Sequence, residues 1–408
     1  MKLISADGLI GFLQRGFSME IQKFLLQARH YMAQNHIDGW LMYEYRHRNS
    51  IIEDIWGDIS NITRPYWIWI PVQNEPIILA SIVDQGRFDT FQIECSWFSS
   101  QIEMKEQLQH ILSVANRISM EYSPDNNLPR ISIVDAGTIE LVRSLGLDIL
   151  SSADLVQYST QRWTNDQIAT HITAAKCLDQ IVHEAFDYVS MNIMSRLTEY
   201  DLAEFIRVRY DNYNLEYEDG PVVALNENSS YPHYEPSRIN SKVIKYGDWL
   251  LIDLWGRLKN IDSMYADITW TAFVGENPSD KQQEIFSLVT GARDKALSYI
   301  TGSFEQKKVV RGWEVDRVAR EFITSSGFGD NFGHRLGHSL GRHVHGNAVN
   351  LDSWETFDTR EIVSNLAVTI EPGIYLPEFG IRSEIDVFIS EQGPQVTTEM
   401  QEHIVLIK

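Results

Sequence analysis

Residues 248–275 read DWLLIDLWGRLKNIDSMYADITWTAFVG. The segments DWLLIDLWG (248–256) and ADITWTAFVG (266–275) are short, strongly apolar and joined by a charged loop, the pattern of two hairpin strands. Each carries an acid inside its apolar run, Asp253 in the first and Asp267 in the second. An unpaired charge in such a strand costs several kcal/mol or takes up a proton, and carboxylates opposed on neighbouring strands repel. The same oddity recurs near the end of the chain. AVTIEPGIYL (367–376) and IRSEIDVFI (381–389), joined at PEFG, read as a second hairpin that sets Glu371 toward Glu384. Repeating this in two hairpins is costly unless a cation sits between the acids.

Between the hairpins lies GHRLGHSLGRHVHG (333–346), which packs four of the twelve histidines, His334, His338, His343 and His345, among four glycines. Glycine weakens a helix and lets backbone pass close to a neighbour, so this is no core helix. His334 and His338 stand four apart as in HExxH, but Arg335 occupies the place where that zinc motif needs its glutamate. The bland reading of the stretch alone is a solvated polar loop, and that of any one acid is a surface or ion-paired carboxylate. One imidazole added to two aspartates and two glutamates makes instead a hard, oxygen-rich set, suited to two divalent ions rather than one structural zinc.

Length and composition frame this site. With 408 residues, 43% apolar and 22% charged, the chain has the size of two domains and the make-up of a soluble globular protein. A formal net charge of −21 argues against nucleic acid and anionic membrane surfaces as partners. Cys95 and Cys177 are far apart and suggest reduced thiols in the cytoplasm. No apolar run has membrane-spanning length, and Asp7 interrupts the N-terminal apolar stretch, which makes a poor signal peptide.

The first domain is expected over 1–161. Helical spacing runs from a Ser18 cap to Gln34, WLMY (40–43) starts a strand, and YWIWIPV (66–72) with PIILASIV (76–83) forms a hairpin. A helix over 105–115, a strand followed by a turn in RISIVDAGT (130–138) and a Thr138-capped helix through Arg143 complete an α/β domain with a mixed sheet. The second domain, 162–408, opens on a helix with Thr164 and Gln167 as capping box, then a helix capped at Thr198. After strand GPVVAL (220–225) and the two hairpin strands come helices at 279–300 and 315–325, an α+β arrangement.

LLIDLWG, ADITWTAFVG, GHSLGRHVH, TIEPGIY and GIRSEIDVFIS, in that order, resemble the pita-bread metallopeptidases, the group of aminopeptidase P, prolidase and methionine aminopeptidase. The resemblance runs from about Thr164 to the end; the first half looks like the N-terminal domain of creatinase, prolidase and aminopeptidase P. It implies Asp253, Asp267, His338, Glu371 and Glu384 as metal ligands. It implies as catalytic residues Glu371, the proton carrier, and the substrate-side His345 and His233. His334 is implied as an auxiliary histidine, and Arg382 as a brace. Two divalent ions follow, manganese as first choice before cobalt, zinc or iron, with hydrolysis of the Xaa-Pro bond in dipeptides or short peptides, and a homodimer. The alternatives are a metal-dependent amidohydrolase of a small non-peptide substrate, or a non-catalytic peptide-binding module. In two places the chain departs from the pattern. The spacer between the aspartates, thirteen residues here, is longer than usual, which makes Asp262 a competitor of Asp267. Trp270 replaces a frequent arginine, with an expected effect on one cleft wall.

Overall fold

The computed structural model describes residues 17–57, 62–232 and 234–408, so the segment around Asp7 and His233 lie outside the described residues. The chain divides into two compact units, with the division between Gln161 and Arg162.

The first unit is a mixed sheet with helices. Its strands are β1 (Gly39–Glu44), β2 (Tyr66–Pro71), β3 (Ile77–Ser81), β4 (Glu94–Phe98), β5 (Arg117–Met120) and β6 (Asp148–Ser151), in the order β4-β3-β2-β1-β5-β6. Strands β1 to β3 pair antiparallel, whereas β4, β5 and β6 join in parallel. Helix Met19–Gln34 begins where the Ser18 hydroxyl accepts the Ile21 N–H, and it buries Phe24, Leu25, Ala28 and Met32. Three local expectations shift. The strand expected to open 130–138 is absent and the stretch is a turn, because the N–H groups of Ile133 and Val134 both donate to the Glu121 carbonyl rather than to a ladder. The cap of the following helix, Ala136–Ser144, is Asp135, whose carboxylate accepts the Thr138 N–H at 3.0 Å. The helix expected at 105–115 runs over Gln101–Ile111, started by the Ser100 hydroxyl.

The second unit is α+β and has two halves built alike. Helices Asn165–Asn192 and Glu199–Asn212 each start in a reciprocal capping box, Thr164 with Gln167 and Thr198 with Asp201. Their buried faces, including Leu178, Val182 and Ile206, share a core with Ile252, Leu254 and Ile268. Those last residues belong to a sheet of β7 (Leu215–Glu216), β8 (Val222–Leu225), β9 (Trp249–Leu258), β10 (Ala266–Val274) and β17 (Val405–Ile407). The other half sets helices Asp280–Glu305 and Gly312–Ser325 on β11 (Ser339–Leu340), β12 (Leu366–Ile370), β15 (Ile385–Ser390) and β16 (Gly393–Val396).

Two register details place the acids. In the antiparallel β9–β10 pair Asp253 faces Thr269 and Asp267 faces Trp255, so the two aspartates are diagonal neighbours on one face rather than directly opposed. The expected second hairpin is broken in the middle: β12 pairs with β15, while β13 (Gly373–Tyr375) pairs separately with β14 (Gly380–Arg382). Both ladders keep one register, Ile370 with Ile385 and Gly373 with Arg382, so Glu371 falls opposite Glu384 in the gap. The gap also holds Pro372, which has no N–H to give to a ladder.

Trp270 corrects a further expectation. Being one residue from Thr269, it points through the opposite face of β10, into the core beneath helix Asn165–Asn192, with its ring against His183. It forms no wall of the cleft.

Candidate metal centre

The site forms where β10 meets the β14–β15 strand. The Glu384 N–H donates to the Thr269 carbonyl at 3.2 Å, and the Asp267 N–H donates to Asp386 Oδ2 at 3.0 Å. These bonds fix the acids from two different sheets against one another. His338 arrives from the histidine stretch, where its N–H donates to Thr369 Oγ1 at 3.0 Å and its carbonyl accepts the Thr369 N–H at 2.8 Å. Gly337 must be glycine here, since a Cβ would stand 2.1 Å from the Thr369 carbonyl oxygen.

As a result one ligand atom each from Asp267, His338 and Glu384 lies within 4.8 Å of the others, all three residues being buried. His338 Nε2 is 3.6 Å from Asp267 Oδ2 and 3.5 Å from Glu371 Oε1. Asp267 Oδ1 is buried with no hydrogen-bond partner among the described residues. An orphaned carboxylate oxygen beside an imidazole and further acids is the donor set of a hard divalent cation. The residues present therefore fit such a group.

The electrostatics agree. Burial, followed by the charges of Glu384 and Asp253, pushes the Asp267 carboxyl well above the usual range. Burial and then Glu371 and Asp253 do the same to Glu384. Glu371 is pushed up by burial to about 7, with Arg382 opposing. All three shifts favour the protonated acids when no cation is bound.

Arg382 ties the assembly together. Its guanidinium pairs with Asp253, its Nε–H donates to Thr269 Oγ1 at 2.9 Å, and its Nη1–H donates to the Tyr375 hydroxyl oxygen at 3.0 Å. Thr269 in turn donates its hydroxyl to Glu384 Oε2 at 2.7 Å. His334 closes the other end. Its Nδ1 lies 2.6 Å from the Arg335 carbonyl, which can only accept, so Nδ1 carries the proton and Nε2 accepts from Tyr375 at 2.8 Å. Burial, helped by Arg382, drives His334 down to about 3, which keeps it neutral for that role. His334 thus supports the arginine brace and makes no contact with the three-ligand cluster.

His345 is exposed, with its ring centroid 4.4 Å from that of His338 in an edge-on contact. Both line a cleft of about 360 Å³ together with Asp253, Glu371, Arg382 and Glu384. Asp262 lies elsewhere, in the loop before β10, where its Oδ1 accepts from Arg342 Nη2 at 2.7 Å. Sequence reasoning missed Thr269 and Tyr375. Strand alternation carried the signal for Thr269, which shares the face of Asp267 on β10, whereas Glu371 lies in the gap before β13 and gave none for Tyr375.

The model of metallopeptidase family M24 matches residues 173–391. An Xaa-Pro dipeptidase of Pyrococcus furiosus is 33% identical over 188 residues, which are 45% of this chain and 48% of that protein. The chain thus spans about half the length of the curated relatives it matches first. Among solved structures, a dipeptidase PepE of Mycobacterium ulcerans has a TM-score of 0.71 at 18% identity, covering 96% of this chain and 100% of that one. A prolidase of Thermococcus sibiricus has a TM-score of 0.63 at 19% identity, with the same coverage of both chains. At these identities the solved structures speak for the fold.

Proposed function

Because this chain belongs to metallopeptidase family M24, we propose that it is a metal-dependent exopeptidase that hydrolyses the Xaa-Pro bond of dipeptides or short peptides. The observation that carries the reading is the buried convergence of Asp267, His338 and Glu384, with Glu371 next to His338, in an open cleft. Asp253 would hold one divalent ion, His338 and Glu371 a second, and Asp267 and Glu384 would serve both. Bound there, the ions would supply Lewis acidity toward the peptide carbonyl and lower the pKa of water.

The protein's own groups do the rest. Glu371, next to His338 in the cleft, would take a proton from water and return it to the leaving nitrogen. His345, exposed at the cleft beside His338, donates to the developing oxyanion, a role His233 shares on the family resemblance. Arg382, Tyr375 and His334 act at a distance by holding Asp253 and Thr269 in place.

Manganese is the first choice of metal; the ligand set alone accepts several divalent ions. Free Cys95 and Cys177 support a reducing, cytoplasmic setting, and the family resemblance supports a homodimer whose 1–161 domain limits substrate length. Among the described residues no helix is long and apolar enough to cross a membrane. A panel of Xaa-Pro and Xaa-Ala peptides tests the reading: it expects cleavage of Xaa-Pro that chelation abolishes, and fails if Xaa-Pro peptides are untouched.

A further inference from the structure

The charges lining the cleft are lopsided. Beyond the ligand set, the carboxylates Glu218, Asp219, Glu235 and Glu355 face it, while Arg335 and Arg382 are its guanidinium groups among the described residues. Arg382 is used up by Asp253, Thr269 and Tyr375. Arg335 is not. Its guanidinium has one ion-pair contact, Nη1 to Glu355 Oε2 at 3.8 Å, too long for a hydrogen bond.

The backbone beneath Arg335 is fixed on every side. Its N–H donates to Glu355 Oε1 at 3.0 Å, its carbonyl accepts from His334 Nδ1, and the Leu336 N–H donates to the Leu351 carbonyl and to Asp316 Oδ1. Glu355 is equally well placed. The fully buried Asp352 carboxylate accepts the N–H groups of Trp354, Glu355 and Thr356 and the Thr356 hydroxyl, which sets the loop that carries Glu355. A guanidinium carried on a fixed backbone, lining the cleft with the ligand cluster and with its donors unspent, is available to a carboxylate.

We propose that Arg335 determines specificity by anchoring the free terminal carboxylate of a dipeptide. The acidic lining from Asp219 and Glu235, beside a Glu218 already bonded to His343, suits the ammonium group at the peptide's other end, and a volume of about 360 Å³ is at the small end for a ligand cleft. The inference rests on the peptidase reading and makes it narrower: the substrate is a short zwitterion rather than a long chain.

The test compares Ala-Pro with its C-terminal amide on the metal-loaded protein, and L-proline with L-prolinamide by calorimetry. Wild type is expected to prefer Ala-Pro by roughly 10–100-fold in kcat/KM, carried by KM, and to bind proline more tightly than prolinamide. Arg335→Gln should erase both preferences with metal content intact, and Arg335→Lys should recover part of them. If Arg335→Gln keeps the preferences, or lowers acid and amide alike, the assignment is overturned while Xaa-Pro cleavage stands. If wild type cleaves no Xaa-Pro peptide, the function reading fails, and the proline-to-prolinamide ratio still decides the role of Arg335.

Discussion

Glu371 lies opposite Glu384 in the gap between two ladders of common register, and both are held close to Arg382. That opposition makes the metal-free fold sensitive to pH. Burial raises Glu371 to about 7 and Glu384 and Asp267 well above their usual values, so the folded state binds more protons than the unfolded chain. Their stabilisation is full below the unfolded values near 4 and is lost as pH rises through the folded ones. The chelated protein should therefore melt at lower temperature at pH 8 than at pH 5.5, and Glu384→Gln should flatten that slope. Added metal should reverse it, since binding expels the protons. Thermal melts with and without chelator check all three.

The two candidate aspartates separate by metal binding. Asp267→Asn removes one anionic donor from the buried cluster and should abolish paired-ion binding. Asp262, bonded to Arg342 in an outlying loop, should tolerate Asn with binding and turnover within about 2-fold, since exposed ion pairs contribute little. Calorimetric metal titration of both variants decides between them.

Tyr375→Phe isolates the brace. It deletes the hydroxyl between Arg382 and His334 and leaves two buried groups short of a partner, at a stability cost of roughly 1–3 kcal/mol. Metal stoichiometry should survive, while kcat falls on the order of 10-fold as Asp253 loses its fixed neighbour. Denaturant melts together with initial rates would show whether the effect stays with stability alone.

His345 and His338 touch edge to face yet should fail differently. His345→Ala should keep its metal and lose roughly 10²–10³-fold in turnover, the effect of removing an oriented oxyanion donor. His338→Ala should lose one ion as well as activity. Metal content and rates measured on the same preparations separate the two roles, and an empty site in His345→Ala would contradict them.

Much of this was legible in the sequence because the chemistry is costly. Acids inside apolar strands and histidines among glycines have few cheap explanations, so Asp253, Asp267, Glu371 and Glu384 stood out before any fold was known, while the choice of His338 among the four clustered histidines rested on the family resemblance. What stayed hidden depended on register. Nothing local shows that Asp253 faces Thr269, or that the second hairpin breaks where Glu371 meets Glu384. Tyr375 looked like an ordinary strand aromatic, because its partners Arg382 and His334 come from other segments. The missed strand Arg117–Met120 is only four residues long, and in the apolar run at 130–138 the N–H groups of Ile133 and Val134 are spent on a turn.

In the proposed reaction, divalent ions held by these residues drive hydrolysis at proline. Its most direct test is a metal titration of the chelated protein, with Ala-Pro hydrolysis and bound metal followed together. The expected result is no turnover without metal and activity that rises to saturation at two manganese ions per chain. Full hydrolysis after exhaustive chelation, or stoichiometric metal with no cleavage of any Xaa-Pro peptide, would contradict it.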